Sequence, residues 1–372
     1  MRHRAYLILS IVFAGLVLAK FNPSTGMTSL IRFGETWQNR RLPALNGLPI
    51  ATLPGSNGYD GQFYAQLAID PLLRDPHLAQ AIDAPSYRAR RILLPDAAAL
   101  LGLGNPWWTL QAYALLNVVC WFVLGWLLYK HIGSTSWMSI AQWAGCMLSM
   151  GVLDSVRQSL VDLPALLLLT LAICAWAPEQ PSRATLWLTL GNLAKETDLL
   201  GMLALTGHQM MNKARRWSTF GLLTVAVMPL ALWSLYVHQH LPSSGSTEGF
   251  GNFTWPLVGV ITQAELCLRA VLNGNWDSRY TFGLISILSL GTQAVVLWRR
   301  PEAASAWWRV GAAYSLLLPF LGPWVWSGYW AACRAVLPMT VAFNLLLPKN
   351  RSFWPIWVIG NLTLLHAVWR FL

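Results

Sequence analysis

Apolar residues run nearly without interruption through 5–19, 109–129, 137–153, 160–177, 218–238, 281–298, 306–326, 331–347 and 353–371, and polar positions collect in the gaps. A helix needs about 20 apolar residues to cross the hydrocarbon of a bilayer. The pattern therefore predicts an all-α, polytopic membrane protein. A further apolar stretch, 184–212, is interrupted by Lys195-Glu196-Thr197-Asp198. Charges at a span centre cost about 2.5 kcal/mol or more each, so this stretch reads as two short helices meeting at one membrane face. The total is then about eleven crossings.

Residues 21–106 are too polar to span and form one large loop of a single transmembrane domain covering 1–372. Within it, Phe63, Tyr64, Leu67 and Ala68 recur at helical spacing up to Asp70-Pro71, which predicts a short amphipathic helix lying on the membrane surface. The apolar run 92–103 is only about a dozen residues; it reads as a second interfacial helix or as a short tilted span. Glu265 and Arg269 interrupt 256–272 at i, i+4 spacing, as in an interfacial or re-entrant helix.

Composition agrees with the pattern: of 372 residues 55% are hydrophobic and 11% charged, against about 25% charged in an ordinary soluble chain. The net charge of +11 is read through topology, because lysine and arginine accumulate in cytoplasmic loops. No basic stripe follows a nucleic-acid module. Met1-Arg2-His3-Arg4 precedes an apolar run with no small-x-small cleavage site, so the first span is read as uncleaved with its N-terminus inside. Basic clusters at Arg2–Arg4, Lys213–Arg216, Arg299-Arg300 and Lys349–Arg351 then share the cytoplasmic side. Asp60, Arg88, Arg91, Asp154, Arg157, Lys195, Glu196 and Arg334 share the other. The 22 tryptophans suit interfacial belts. Five cysteines without paired spacing read as free buried thiols.

The candidate chemistry centres on Gly58-Tyr59-Asp60-Gly61-Gln62-Phe63-Tyr64. A carboxylate between two glycines sits on backbone that can turn sharply and point it into a cleft. The same residues also make an ordinary surface turn, and both readings stand on sequence alone. Downstream come Tyr87-Arg88-Ala89-Arg90-Arg91, then Asp154-Ser155-Val156-Arg157, then Leu193-Ala194-Lys195-Glu196-Thr197. This order resembles the bacterial branch of the GT-C membrane glycosyltransferases, which take a sugar from a polyprenyl-phosphate carrier. It is similar in pattern to an uncharacterised bacterial family linked to cell-surface glycopolymer formation. The reading of 92–103 and of the break at Lys195 draws partly on that likeness.

The resemblance implies a GT-C-like bundle with interfacial helices in the first periplasmic loop, set in a bacterial inner membrane with its active site facing the periplasm. It places the catalytic base at Asp60. The chemistry needs a base for the acceptor hydroxyl and cations for the departing phosphate. Arg88, Arg91, Lys195 and Arg334 are the candidates for the phosphate, and Tyr59, Gln62, Tyr64, Glu196, Asp154 and Arg157 for the remaining substrate contacts. Each has a plainer alternative. Arg88 and Arg91 could anchor an interfacial helix by snorkelling, Lys195 and Glu196 could neutralise each other near the membrane, Asp154 and Arg157 could pair at i, i+3, and Arg334 could anchor a helix end. The expected partners are membrane lipids, a polyprenyl-phosphate sugar and a lipid-linked or envelope glycan acceptor, with no nucleic acid. No cofactor is expected and no Asp-x-Asp pair calls for a metal, although a single carboxylate could still recruit a divalent ion. The rival readings are a lipid or glycan flippase and a non-catalytic subunit of a surface-glycan assembly complex.

Overall fold

A computed structural model describes residues 2–133, 136–176, 180–210, 216–242 and 250–372. Among them helix dominates, and the one sheet is a parallel pair of two-residue strands, Phe33–Gly34 against Thr52–Leu53. Three helices are long and apolar enough to cross a membrane unaided: Pro106–Ile132, Trp217–His240 and Ser278–Arg299. The first has strong local stops. The Asn105 side chain accepts from Trp108 N, Pro106 opens the helix, and Gly133 closes it at φ 61°. Trp217, Phe220, Met228, Leu232 and Leu235 all face outward from the second helix. A surface so apolar suits lipid rather than water.

The remaining apolar runs depart from the expected continuous crossings. Residues 137–153 split into Trp137–Met147 and Met150–Arg157, with Ser149 Oγ donating back to the Cys146 carbonyl at 2.9 Å. The run 306–326 stops at Leu317 and continues as the single turns Leu318–Phe320 and Pro323–Ser327, where Pro319 and Pro323 supply no N–H to a helical ladder. Tyr329–Ala335 and Leu337–Leu346 meet at a 68° bend and together make at most a fourth span. Phe353–Gly360 and Leu364–Phe371 part at Asn361, which exchanges side-chain hydrogen bonds with Asn344 at 3.0 and 3.1 Å. His3–Leu18, Asp162–Trp176 and Asp198–Gly207 are shorter apolar helices. Continuous helices among the described residues therefore do not add up to about eleven crossings. The break expected at Lys195–Thr197 is present, between Pro181–Ala194 and Asp198–Met210.

The loop helix forms where its spacing predicts, over Gly61–Ile69, but not as a surface helix: every residue from Gly61 to Ala68 is buried. Its glutamines face protein backbone instead of water. Gln66 accepts from Leu42 N at 2.8 Å and donates to the Ala81 carbonyl at 2.7 Å. Trp37 packs edge-on to Phe63 with ring centroids 4.8 Å apart. The apolar run at 92 is a ten-residue helix, Leu93–Gly102, about 15 Å long and so shorter than the hydrocarbon layer. Val258–Leu272 is helical, with Glu265 and Arg269 paired on its exposed side. All five cysteines are free, but only Cys146, Cys267 and Cys333 are buried; Cys120 is half-buried and Cys174 exposed. Lys213 to Arg215 of the basic run and residues 243–249 of the Ser/Gly-rich loop lie outside the described residues.

Candidate functional site

Two glycines fix the approach to Asp60. Gly58 has φ +69°, and a Cβ there would lie 2.4 Å from Gly34 N and 2.5 Å from the Arg32 carbonyl oxygen. A Cβ on Gly61 would lie 2.1 Å from the Gln158 carbonyl oxygen and 2.8 Å from that of Ile31. Only glycine lets the chain pass this close. Asp60 precedes the Gly61–Ile69 helix, yet its carboxylate does not cap it, the role aspartate commonly takes at that position. The side chain turns instead to Arg88, whose Nη2 lies 2.9 Å from Oδ1. The stretch is thus not a surface turn.

Asp60 opens onto a cavity of about 480 Å³. Four further segments bring charge to it. Arg88 ends the short Pro85–Ala89 helix and also grips Asp83, through Nε at 3.0 Å and Nη2 at 2.9 Å. Arg91 meets Glu196 through Nε at 2.8 Å and Nη2 at 2.7 Å, and donates to the Tyr64 hydroxyl at 2.9 Å. Lys195, in the helix break, donates to Asp162 Oδ1 at 2.7 Å. Arg334 reaches the other Asp162 oxygen at 3.2 Å and the Tyr59 hydroxyl at 2.9 Å.

Apolar side chains share the lining: Leu160, Val161, Phe253, Leu317, Leu321 and Trp324, and Trp324 is 79% exposed. The lining thus mixes ionic and apolar side chains, so polar and apolar parts of one molecule could both find contacts there.

Burial works against ionising Asp60, but the Arg88 and Arg334 guanidiniums outweigh it and hold the carboxyl below its ordinary value. Burial is likewise overcome at Glu196, where the fork from Arg91 brings the carboxyl down to about 2. Tyr59 moves the other way: burial dominates and raises the phenol above its ordinary value, Arg334 notwithstanding. At neutral pH Asp60 and Glu196 are therefore ionised and Tyr59 is a neutral phenol.

Of the residues singled out by sequence, Tyr59, Asp60, Tyr64, Arg88, Arg91, Lys195, Glu196 and Arg334 come together on this cavity. Three do not. Gln62 braces the loop below it, accepting from Gly34 N at 3.0 Å and donating to the Asn57 carbonyl at 2.8 Å. Asp154 lies behind the cavity, 3.6 Å from both Arg334 Nε and Arg370 Nη2. Arg157 also lies outside the lining, and the expected Asp154–Arg157 ion pair is replaced by these longer-range contacts.

Asp162 is a charged residue of the cavity lining that the sequence reading passed over. It joins Lys195 to Arg334 at the head of the Asp162–Trp176 helix. An acid three positions into an otherwise apolar run was the signal available. Thr197 was overlooked too; it lines the cavity, and its buried hydroxyl has no hydrogen-bond partner among the described residues. Among the described residues, no group of three or more His, Cys, Asp or Glu side chains is arranged to hold a metal ion. Comparison with protein families, with curated proteins and with solved structures gives no match to this chain.

Proposed function

We propose that this chain is an integral membrane glycosyltransferase that moves a sugar from a polyprenyl-phosphate donor to a lipid-linked or envelope glycan acceptor. One observation carries the reading. Three carboxylates and four cations from distant parts of the chain share one cavity with apolar side chains in its lining. In this reading the acceptor oxygen attacks the anomeric carbon as its proton passes to Asp60. The carbon–oxygen bond to phosphate breaks, its electron pair leaves with the carrier phosphate, and the sugar centre inverts. Arg88, Lys195 and Arg334 hold the charge on the departing phosphate; each keeps N–H groups not engaged by its acidic partners. Arg91 is nearly saturated by Glu196, Tyr64 and Tyr87, so its role is to fix the loop against the helix break.

The membrane arrangement belongs to the same proposal: a GT-C-like bundle in a bacterial inner membrane, N-terminus inside, cavity toward the periplasm. The broken helices count as crossings within it, which restores a total of about eleven. The test is incubation of the purified protein with a panel of polyprenyl-phosphate sugars and acceptor glycans, following release of the carrier phosphate. Release that depends on both the protein and Asp60 is expected. A protein that binds these lipids across the panel and turns none over would end the transferase reading.

A second reading, a carrier for phosphorylated lipids, draws on the bent pair Tyr329–Ala335 and Leu337–Leu346, because broken helices at a binding site are common in transporters. It predicts donor moved across vesicle membranes with its sugar intact.

A further inference from the structure

Behind Tyr59 and Trp330 lies a second gathering of cations outside the cavity lining. Asp154 stands among them, shared between Arg370 Nη2 and Arg334 Nε at 3.6 Å each. Arg157 follows Asp154 by three positions in the Met150–Arg157 helix, hence on the same face. The loop brings Arg32 to this place. Its carbonyl accepts from Tyr59 N at 3.0 Å, Ser159 Oγ donates to the Leu30 carbonyl at 3.1 Å, and the backbones of Ile31 and Gln158 both close on Gly61. Arg370 lies over the Trp330 ring, 4.4 Å from its centre.

All three arginines are half-buried. Among the described residues, neither the Arg32 nor the Arg157 guanidinium has a hydrogen-bonding or ion-pair partner, and Asp154 is divided between Arg370 and Arg334. Lys20 stands nearby but is engaged, donating to the Leu372 backbone oxygen at 2.6 Å. The surroundings are greasy and open: Leu18, Phe21, Trp369 and Leu372 are all exposed.

We propose that Arg32, Arg157 and Arg370 form an anion site for the phosphate group of an anionic membrane lipid, whose tails lie along this exposed apolar rim. Guanidinium forks match the paired oxygens of a phosphodiester, and Asp154, which Arg334 also shares, leaves the Arg32 and Arg157 forks open to one. Burial, and then the like charge of Arg32 and Arg370, lowers Arg157 to about 10, and burial also lowers Arg32. A bound phosphate relieves that repulsion. The site goes beyond the transferase reading and does not depend on it.

The test uses the full-length protein in nanodiscs of phosphatidylcholine with phosphatidylglycerol, with lipid retention followed by native mass spectrometry after release. One phosphatidylglycerol should stay with each wild-type chain, and the Arg32→Gln/Arg157→Gln variant should lose it at least tenfold. Asp60→Asn, which removes the proposed base and its contact with Arg88 but touches none of the three arginines, should retain it. Equal retention by wild type and the double variant, or none by wild type, overturns the site. Where the double variant does not express, Arg157→Lys keeps the charge and loses the fork; weaker retention is expected, and unchanged retention overturns the proposed grip. Thermal stabilisation of the detergent-solubilised wild type by inorganic phosphate as strongly as by the lipid would overturn the lipid assignment.

Discussion

Arg334 Nη2 lies 2.9 Å from the Tyr59 hydroxyl, joining residues 275 positions apart, and Trp330 Nε1 donates to the same oxygen at 2.7 Å. The phenol thus ties the loop before Asp60 to the bent helix pair. Tyr59→Phe leaves two donors without their acceptor, a cost of about 1–3 kcal/mol. A lower thermal midpoint of the purified protein is expected, with a several-fold loss of transfer. An unchanged midpoint would mean that the contact holds nothing in place.

Asp60→Asn removes the proposed base while keeping the size of the side chain. General-base contributions are about 10²- to 10⁴-fold, so kcat for carrier-phosphate release should fall by that order with KM little changed. A variant that folds, binds donor and turns over at the wild-type rate would rule Asp60 out as the base.

Arg91 and Glu196 form a forked pair with little solvent around it, the side chains being 10% and 25% exposed. Breaking such a pair from one side costs about 3–5 kcal/mol, because the remaining charge is left buried. Arg91→Gln should therefore destabilise strongly, and Arg91→Gln/Glu196→Gln by less than the sum of the single changes, a coupling read from a double-mutant cycle of unfolding midpoints.

The same pair sets a pH window. Glu196 falls from an ordinary value of 4.5 to about 2 in the folded chain. A depressed carboxyl stabilises fully above its unfolded value and loses that contribution as pH falls through the folded one. Stability from this pair should be flat from neutral pH to about 5 and decline toward about 2. A thermal midpoint of wild type that declines no more steeply over that acid range than that of the double variant would contradict the pairing.

Asp162 neutralises Lys195 and Arg334 together. Asp162→Asn unmasks both, so the carrier phosphate should bind about tenfold tighter, equal to about 1.4 kcal/mol. Turnover should then slow at product release. Product-inhibition constants measure this directly, and weaker inhibition would contradict the assignment.

Hydropathy made the helices legible but concealed their breaks. The interruption at Lys195 was plain because several polar residues stand together, whereas a lone Ser149 or Asn361 and the prolines at 319, 323 and 338 are absorbed into an apolar average. Gln62 and Gln66 gave the Gly61–Ile69 helix an amphipathic look, yet both satisfy backbone groups of distant loop segments. No spacing rule reaches that far. Asp154 shows the same limit: its local partner by spacing is Arg157, and its partners in space are Arg334 and Arg370. Asp60 could be named in advance only through the resemblance to the GT-C transferases, because the same loop offers other acids such as Asp75 and Asp83.

Every cation around the cavity already has an acid against it: Arg88 has Asp60 and Asp83, Arg91 has Glu196, and Lys195 and Arg334 have Asp162. An arriving headgroup meets no bare positive field. It enters as in an ion-exchange resin, displacing internal counter-ions, so a weakly held anion such as chloride gains little there. An oxyanion that accepts from several of these cations at once, with a tail for the apolar side chains of the lining, makes the exchange favourable.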